Sequence, residues 1–303
     1  MPAYISHSIM IENLYNDNKN DVKIFKIPID VSNLKTFSLG HDLASISKHL
    51  KSNPHLTYSK RFHIEMIKYI KENNLNENSE VMALLYGHIA HYFFDVAAHP
   101  FIYYFDKGCI RVGIVPNHRL IEGYLDSYLA DKILHKDIME LNEKYFNQGN
   151  LDSIEIKKIL NTIYGNIFGD DKIIKTYRKT IKLFSLIEKV AKSGLFTKDD
   201  LIKIVKFDEF LRVNHITREE LSNENKNFYT NPCNGVVSNL SFLEMYYLSI
   251  NQTLNAINEV NNCIYNNHNI ANLNKVFKNL AYDTGVHCGK DREFIYVRNY
   301  KKW

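Results

Sequence analysis

Residues 81 to 100 read VMALLYGHIAHYFFDVAAHP. Apart from a few ionisable side chains the stretch is apolar nearly all round, the pattern of a helix buried on every side rather than of an amphipathic surface helix. Asn78 or Ser79 can cap its start, Glu80 suits the positive end of its dipole, and Pro100 is expected to end it. At about 100° per residue, His88, His91, Asp95 and His99 fall within about 80° of arc on one side. Each such group, buried and unpaired, costs about 1 to 3 kcal/mol. A divalent cation removes that cost, and two imidazoles and a carboxylate at i, i+4 and i+8 (His91, Asp95, His99) suit zinc.

Further donors lie on either side of this helix. After Pro116-Asn117, His118 and Glu122 stand four residues apart, with Leu120, Ile121, Tyr124, Leu125 and Tyr128 as core positions behind them. Upstream are His7, Gly40-His41-Asp42, His55 and His63. Together they exceed one zinc shell of three or four protein ligands, so two or three zinc ions are expected.

The rest of the chain frames this centre. Of 303 residues, 45% are apolar, 24% charged and 13% aromatic, which excludes a largely disordered chain. A net charge of +4 is too even to attract nucleic acid or an anionic membrane by field alone, and no stable nucleic-acid partner is expected. Twelve glycines and six prolines favour helices over turn-rich sheets, giving an all-α expectation. Ten of the thirteen histidines lie in the first 135 residues, and from about 150 amphipathic helices follow. Ile173, Ile174, Tyr177, Ile181, Phe184, Ile187 and Ala191 form one stripe that should stop at Gly194, with Thr197 opening a short helix. Ser241 to Glu244 reads as a capping box, followed by Leu243, Tyr247, Ile250, Leu254 and Ile257 on one face. Asn-rich stretches at 13 to 20, 73 to 78 and 261 to 269 read as surface turns. Without a Pro/Gly/Ser linker, residues 1 to 303 are expected to form one bundle-like multi-helix domain with the zinc site between core helices. Cys109, Cys233, Cys263 and Cys288 are too dispersed for a disulfide scaffold or a thiolate site. No leader pattern and no run of 18 apolar residues is present, so a cytoplasmic protein is expected.

These residues resemble the bacterial zinc-dependent phospholipase C family, whose trinuclear zinc site is shared in outline by the single-strand-specific zinc nucleases. MPAYISH is similar to the family's opening with its first histidine, LGHD to its Gly-Pro-Asp segment, and SKRFH to the stretch carrying its next histidine. GHIAHYFFDVAAHP resembles its His-xxx-Asp…His-Pro core and NHRLIEGYLD its His-xxx-Glu helix, while NPCNGVVSNLSFLEMY and YDTGVHC resemble parts of its C-terminal half. The resemblance implies one zinc on Asp42, His63, His91 and Asp95, with His55 competing for the place of His63. It implies a second on His99, His118 and Glu122, and a third on His7 and a shared Asp95, completed by the chain's amino terminus. The secreted members expose that amine by cleaving a leader; here, loss of Met1 would expose the secondary amine of Pro2. Position 41 is His where the family usually has Pro, and a trailing membrane-binding domain after residue 303 is not expected.

The implied activity is phosphodiester hydrolysis by a zinc-activated water, with Asp42 orienting that water or taking its proton. Phosphodiester substrates, phospholipid among them, and transient contact with a membrane surface are the expected partners. Two other readings stand beside it. One is a nuclease or nucleotide phosphohydrolase, using the same site or an HD-type centre on His41-Asp42; HD proteins, however, order their histidines and terminal Asp differently from the His118-Glu122 pair. The other is a degenerate member that binds metal or a partner without turnover.

Overall fold

The computed structural model describes residues 4–111, 118–138, 141, 149–192, 216–289 and 293–298. Pro116-Asn117, Gly194, Thr197, Cys109's side chain and the amino-terminal Met1-Pro2 lie outside the described residues. In chain order the elements are α1 (Tyr4–Asn18), α2 (Val31–Phe37), a 3₁₀ turn (Gly40–Ala44), α3 (Ser59–Glu72), α4 (Ser79–Arg111), α5 (His118–Leu134), α6 (Ile154–Phe168), α7 (Ile173–Lys192), α8 (Arg218–Ser222), the hairpin strands β1 (Tyr229–Thr230) and β2 (Val237–Ser238), α9 (Phe242–Tyr265) and a 3₁₀ turn (Ile270–Asn274). The molecule is thus mostly helical, and β1 and β2 form its one sheet among the described residues.

Helix α4 is the axis of the arrangement. It packs against α1, α2, α3, α5, α6 and α9. Such all-round contact requires an apolar sequence on every side, and Val81 to Ala83, Leu84, Leu85, Tyr86, Ile89 and Ala90 are fully buried. The helix is also long and apolar enough to cross a membrane, yet 89% of that window is buried inside the protein. Its start is settled by Asn78, whose side-chain oxygen accepts from the Glu80 and Val81 amides at 3.1 Å each. Gly87 lets α2 approach closely: a Cβ there would lie 2.6 Å from the Phe37 carbonyl carbon.

Pro100 does not end α4, contrary to expectation; the helix runs eleven residues further, to Arg111. Proline in a helix interior removes one backbone hydrogen bond and costs ~3 kcal/mol or more. The following turn repays that through Phe101, Ile102 and Phe105, each at most 4% exposed.

Other local readings hold or shift for identifiable reasons. In α7 the stripe buries Ile173, Ile174, Tyr177 and Ile181 as expected. In α9 the capping box is present, with Ser241 Oγ accepting from the Glu244 amide, but the buried face is rotated from the expected one. Phe242, Met245, Tyr246, Ser249, Thr253, Ala256 and Val260 face inward; of the expected stripe Ile257 is buried, Leu243, Ile250 and Leu254 pack at the edge of the core, and Tyr247 is 51% exposed. The expected stripe misplaced this face because Ser249 and Thr253 read as polar; the Ser249 hydroxyl donates to the Met245 carbonyl within its own helix and so can be buried. The Asn-rich stretch at 73 to 78 is the α3–α4 turn, whereas those at 13 to 20 and 261 to 269 begin inside α1 and α9. Buried Asn261 accepts from the Tyr86 hydroxyl at 2.6 Å and donates to the Ile24 carbonyl at 2.7 Å, which satisfies the amide without a turn.

Candidate metal centre

The polar side of α4 faces α1, the Gly40–Ala44 turn, the 53–57 loop, α5 and the 279–285 segment, and their donors meet there in two clusters. In the first, His7, Asp42 and His91 present ligand atoms within 4.8 Å of one another, as do His55, His91 and Asp95. His7 Nε2 lies 3.1 Å from Asp95 Oδ1, His91 Nε2 lies 3.2 Å from Asp95 Oδ2, and His55 Nε2 lies 3.2 Å from Asp42 Oδ1. The second cluster is His99, His118 and Glu122. Both of its histidines point Nε2 at Glu122 Oε1, at 3.2 Å and 2.9 Å. Asp95 Oδ2 is 3.7 Å from His99 Nδ1, so this carboxylate stands between the clusters.

Gly40 is what brings Asp42 in. It adopts φ +46°, and a Cβ would lie 2.1 Å from the His91 ring, so any other residue would push the turn carrying Asp42 away from α4.

The residues present fit a metal better than they fit one another. Both ring nitrogens of His91, Nδ1 of His7, Nε2 of His55 and Oδ2 of Asp95 are buried without a hydrogen-bond partner, although several approach within 3.2 Å. Lone pairs converging at poor hydrogen-bond angles are what a set of ligands presents, and a cation would satisfy them together. The electrostatics agree. Burial and the neighbouring His7, His55 and His41 hold His91 well below the usual imidazole range, leaving it neutral as a ligand must be. Burial opposes charge on His99, but Asp95 and Glu122 outweigh it and raise its pKa to about 10. Against the same burial penalty, His118 and His99 hold Glu122 at about 2. The second cluster is therefore ion-paired at neutral pH, a proton on His99 occupying the place of a cation.

Of the eight residues expected to ligate, the structure brings together His7, Asp42, His91, Asp95, His99, His118 and Glu122, and leaves out His63. Its Nδ1–H donates to the Ser59 carbonyl at 2.8 Å, its ring stacks on Phe277 at 4.5 Å, and burial lowers its pKa to about 4. Its ring nitrogens face the carbonyls of Ser59 and His88, and it is His55, the residue that competed with it in the sequence, that stands in the first cluster. The choice was not legible from spacing because His55 sits in the irregular 53–57 loop, where no periodicity fixes direction.

One further residue went unread, and two that the sequence named, His88 and His41, stand outside both clusters. Asp106 is 1% exposed and continues the α4 stripe past Pro100, with Oδ2 4.0 Å from His118 Nδ1; an expected helix end at Pro100 hid it. His88 is buried with both nitrogens unpartnered and its pKa lowered to about 3 by burial and by His63. His41 shares a hydrogen bond of 2.6 Å with the Tyr164 hydroxyl, which in turn meets the Tyr177 hydroxyl at 2.9 Å. This chain pins the turn carrying Asp42 to α6 and α7 and accounts for His at position 41.

Residues 1–181 match the zinc-dependent phospholipase C family. The chain belongs to that family. Among curated proteins and among solved structures, none matches it. Every residue in the two clusters lies within the family match. For a zinc-dependent phospholipase C domain the expected cofactor is zinc, and the His, Asp and Glu groups are of the type that holds it. Membership makes the protein a phospholipase C-like hydrolase in class. A separate cavity of about 810 Å³ is lined by Phe101, Tyr104, Phe105, Tyr229 and Arg298 among others and contributes none of the clusters' donors.

Proposed function

We propose that the protein is a zinc-dependent phosphodiesterase that hydrolyses the head-group phosphodiester of a phospholipid. The observation that carries this reading is the pair of donor clusters linked by Asp95. Zinc held there would supply Lewis acidity toward the phosphate oxygens and lower the pKa of a bound water to about 7. His7, His55, His91 and Asp95 would hold one part of the centre with Asp42, and His99, His118 and Glu122 the other. Asp42 is the partly exposed carboxylate of the set, with 31% of its side chain open, so it is the group able to meet an incoming water and accept its proton. The Tyr282 carbonyl accepts from His99 Nδ1 at 3.0 Å, which turns Nε2 toward Glu122 and would leave Nε2 as the nitrogen free to ligate.

A lipid substrate is favoured over a nucleotide by the rim of the second cluster. The Tyr103 ring lies 4.7 Å from the His118 ring and 5.4 Å from Phe294. Apolar side chains at a metal centre suit acyl chains at a bilayer surface. The test is release of phosphocholine from phosphatidylcholine vesicles against release of nucleotides from single-stranded DNA, each with zinc-loaded protein. Head-group release alone is expected. DNA hydrolysis alone would replace the reading with a nuclease, and inactivity on both at full zinc would leave a metal-binding protein without turnover.

A further inference from the structure

Asp126 lies one turn beyond Glu122 on α5 and is 4% exposed. It appears in neither donor cluster. Its carboxylate instead reaches across to the start of α1, where it accepts from the Ser6 amide at 2.9 Å, from the Ile5 amide at 3.3 Å and from the Ser6 hydroxyl. The first-turn amides of a helix have no partner within it, and a carboxylate placed there satisfies them and suits the helix dipole. A cap normally comes from the residue just before a helix. This one comes from 120 residues away in sequence, so it fixes the position of α1 relative to α5 rather than merely starting α1.

The residue after Ser6 is His7, whose Nε2 lies 3.1 Å from Asp95 and whose ring stands 4.6 Å from that of His91. On α5, Glu122 and Asp126 are four residues apart and so share a face: one carries the second donor cluster, the other holds the helix that brings His7 to the first. The carboxylate is costly to keep. Burial pushes its pKa up to about 6 even against the hydrogen bonds from Ser6 and Ile5, so the fold bears an expense at this position that a neutral side chain would avoid.

We propose that Asp126 is a positioning residue that sets His7 against the first donor cluster, so that removing its carboxylate selectively weakens the metal site that uses His7. The proposal rests on the reading of the clusters as zinc ligands given above.

The test measures zinc per chain on stripped and reloaded protein, together with amide hydrogen exchange of the metal-free protein, for the wild type, Asp126→Ala, Asp126→Asn and Ser6→Ala. Asp126→Ala should lose one zinc equivalent or bind it at least about tenfold more weakly, the range seen when groups supporting a ligand are removed. Ser6→Ala removes only the hydroxyl and should keep the full complement, while Asp126→Asn, which retains one acceptor oxygen, should fall between. Exchange at the amides of Ile5 to Ser8 should rise at least about tenfold in Asp126→Ala, with the amides of α5 unchanged. Full zinc binding at wild-type affinity in Asp126→Ala, or unchanged exchange at α1, would overturn the proposal. Should the Ala variant fail to fold, Asp126→Asn is read in its place, and wild-type zinc affinity there overturns it equally. A wild type that binds no zinc would defeat the phosphodiesterase reading instead, and the exchange comparison would then decide by itself whether Asp126 holds α1.

Discussion

The first 181 residues and the described residues from 216 onward contribute to the centre in different currencies. The first region supplies every side chain in the donor clusters. The second supplies none, yet it holds both clusters through its backbone: the Tyr282 amide donates to the His55 carbonyl at 2.8 Å, and its carbonyl accepts from His99 at 3.0 Å. The Tyr282 ring lies 5.5 Å from His91 and 4.9 Å from His41, and Phe277 stacks on His63. Helix α9 completes the enclosure of α4. Ligand chemistry demands particular residue types, whereas a backing surface demands only shape and a properly placed carbonyl. A family match that carries the ligands can therefore end at residue 181 although the site is closed by later residues.

That contrast can be broken most forcefully at Asp95. Asp95→Asn keeps the shape but halves the carboxylate's ligating capacity between the clusters, and it should cost at least one zinc equivalent and about 100-fold or more in phosphodiester hydrolysis. Retention of full zinc and rate would remove Asp95 from its linking place. A matched pair within the first region comes next. His55→Ala should reduce zinc content and lower activity by about 10- to 100-fold, while His63→Ala should leave zinc content unchanged and appear only as lost thermal stability; the reverse pattern would restore His63 as the ligand. In the second region Tyr282→Ala removes a fully buried ring and should cost about 3 to 5 kcal/mol in denaturant unfolding. Because its backbone contacts survive, zinc stoichiometry should hold at temperatures where the variant is folded, and loss of zinc without loss of stability would erase the distinction between the regions.

The smallest effect is one of pH on the metal-free protein. His99 is raised from 6.5 to about 10, so its contribution to stability is complete below about 6.5 and is lost as pH climbs toward 10. Glu122 is depressed from 4.5 to about 2, so its contribution is present above about 4.5 and fades as pH falls toward 2. In chelated protein the melting temperature should rise between roughly pH 4.5 and 6.5, where the unfolded chain's histidines bind protons that buried His63, His88 and His91 do not, and decline by several degrees from there toward pH 9 as His99 loses its proton. Zinc replaces the proton on His99, so the alkaline decline should shrink in loaded protein; identical profiles with and without zinc would contradict the pairing.

Much of this centre was legible because helices impose a period. His91, Asp95 and His99, and likewise His118 and Glu122, stand at four-residue steps, and the fold places each set on one face as the spacing requires. What escaped lies where period gives no information. The choice between His55 and His63 stayed open because His55 stands in a loop, and Asp126 acts on a helix 120 residues away. Asp106 was hidden behind a proline that burial of Phe101 and Phe105 carries through the helix. The face of α9 was partly misread because a hydroxyl bonded to its own helix, as at Ser249, is buried as readily as an apolar side chain.

The central claim is that two donor clusters joined at Asp95 hold separate metal ions. It is tested most directly by counting zinc per chain, by elemental analysis of protein stripped with chelator, reloaded and freed of excess metal. The account predicts at least two equivalents in the wild type and a loss confined to one of them in Glu122→Gln, which alters only the second cluster. A single equivalent, or none, in the folded wild type would contradict it.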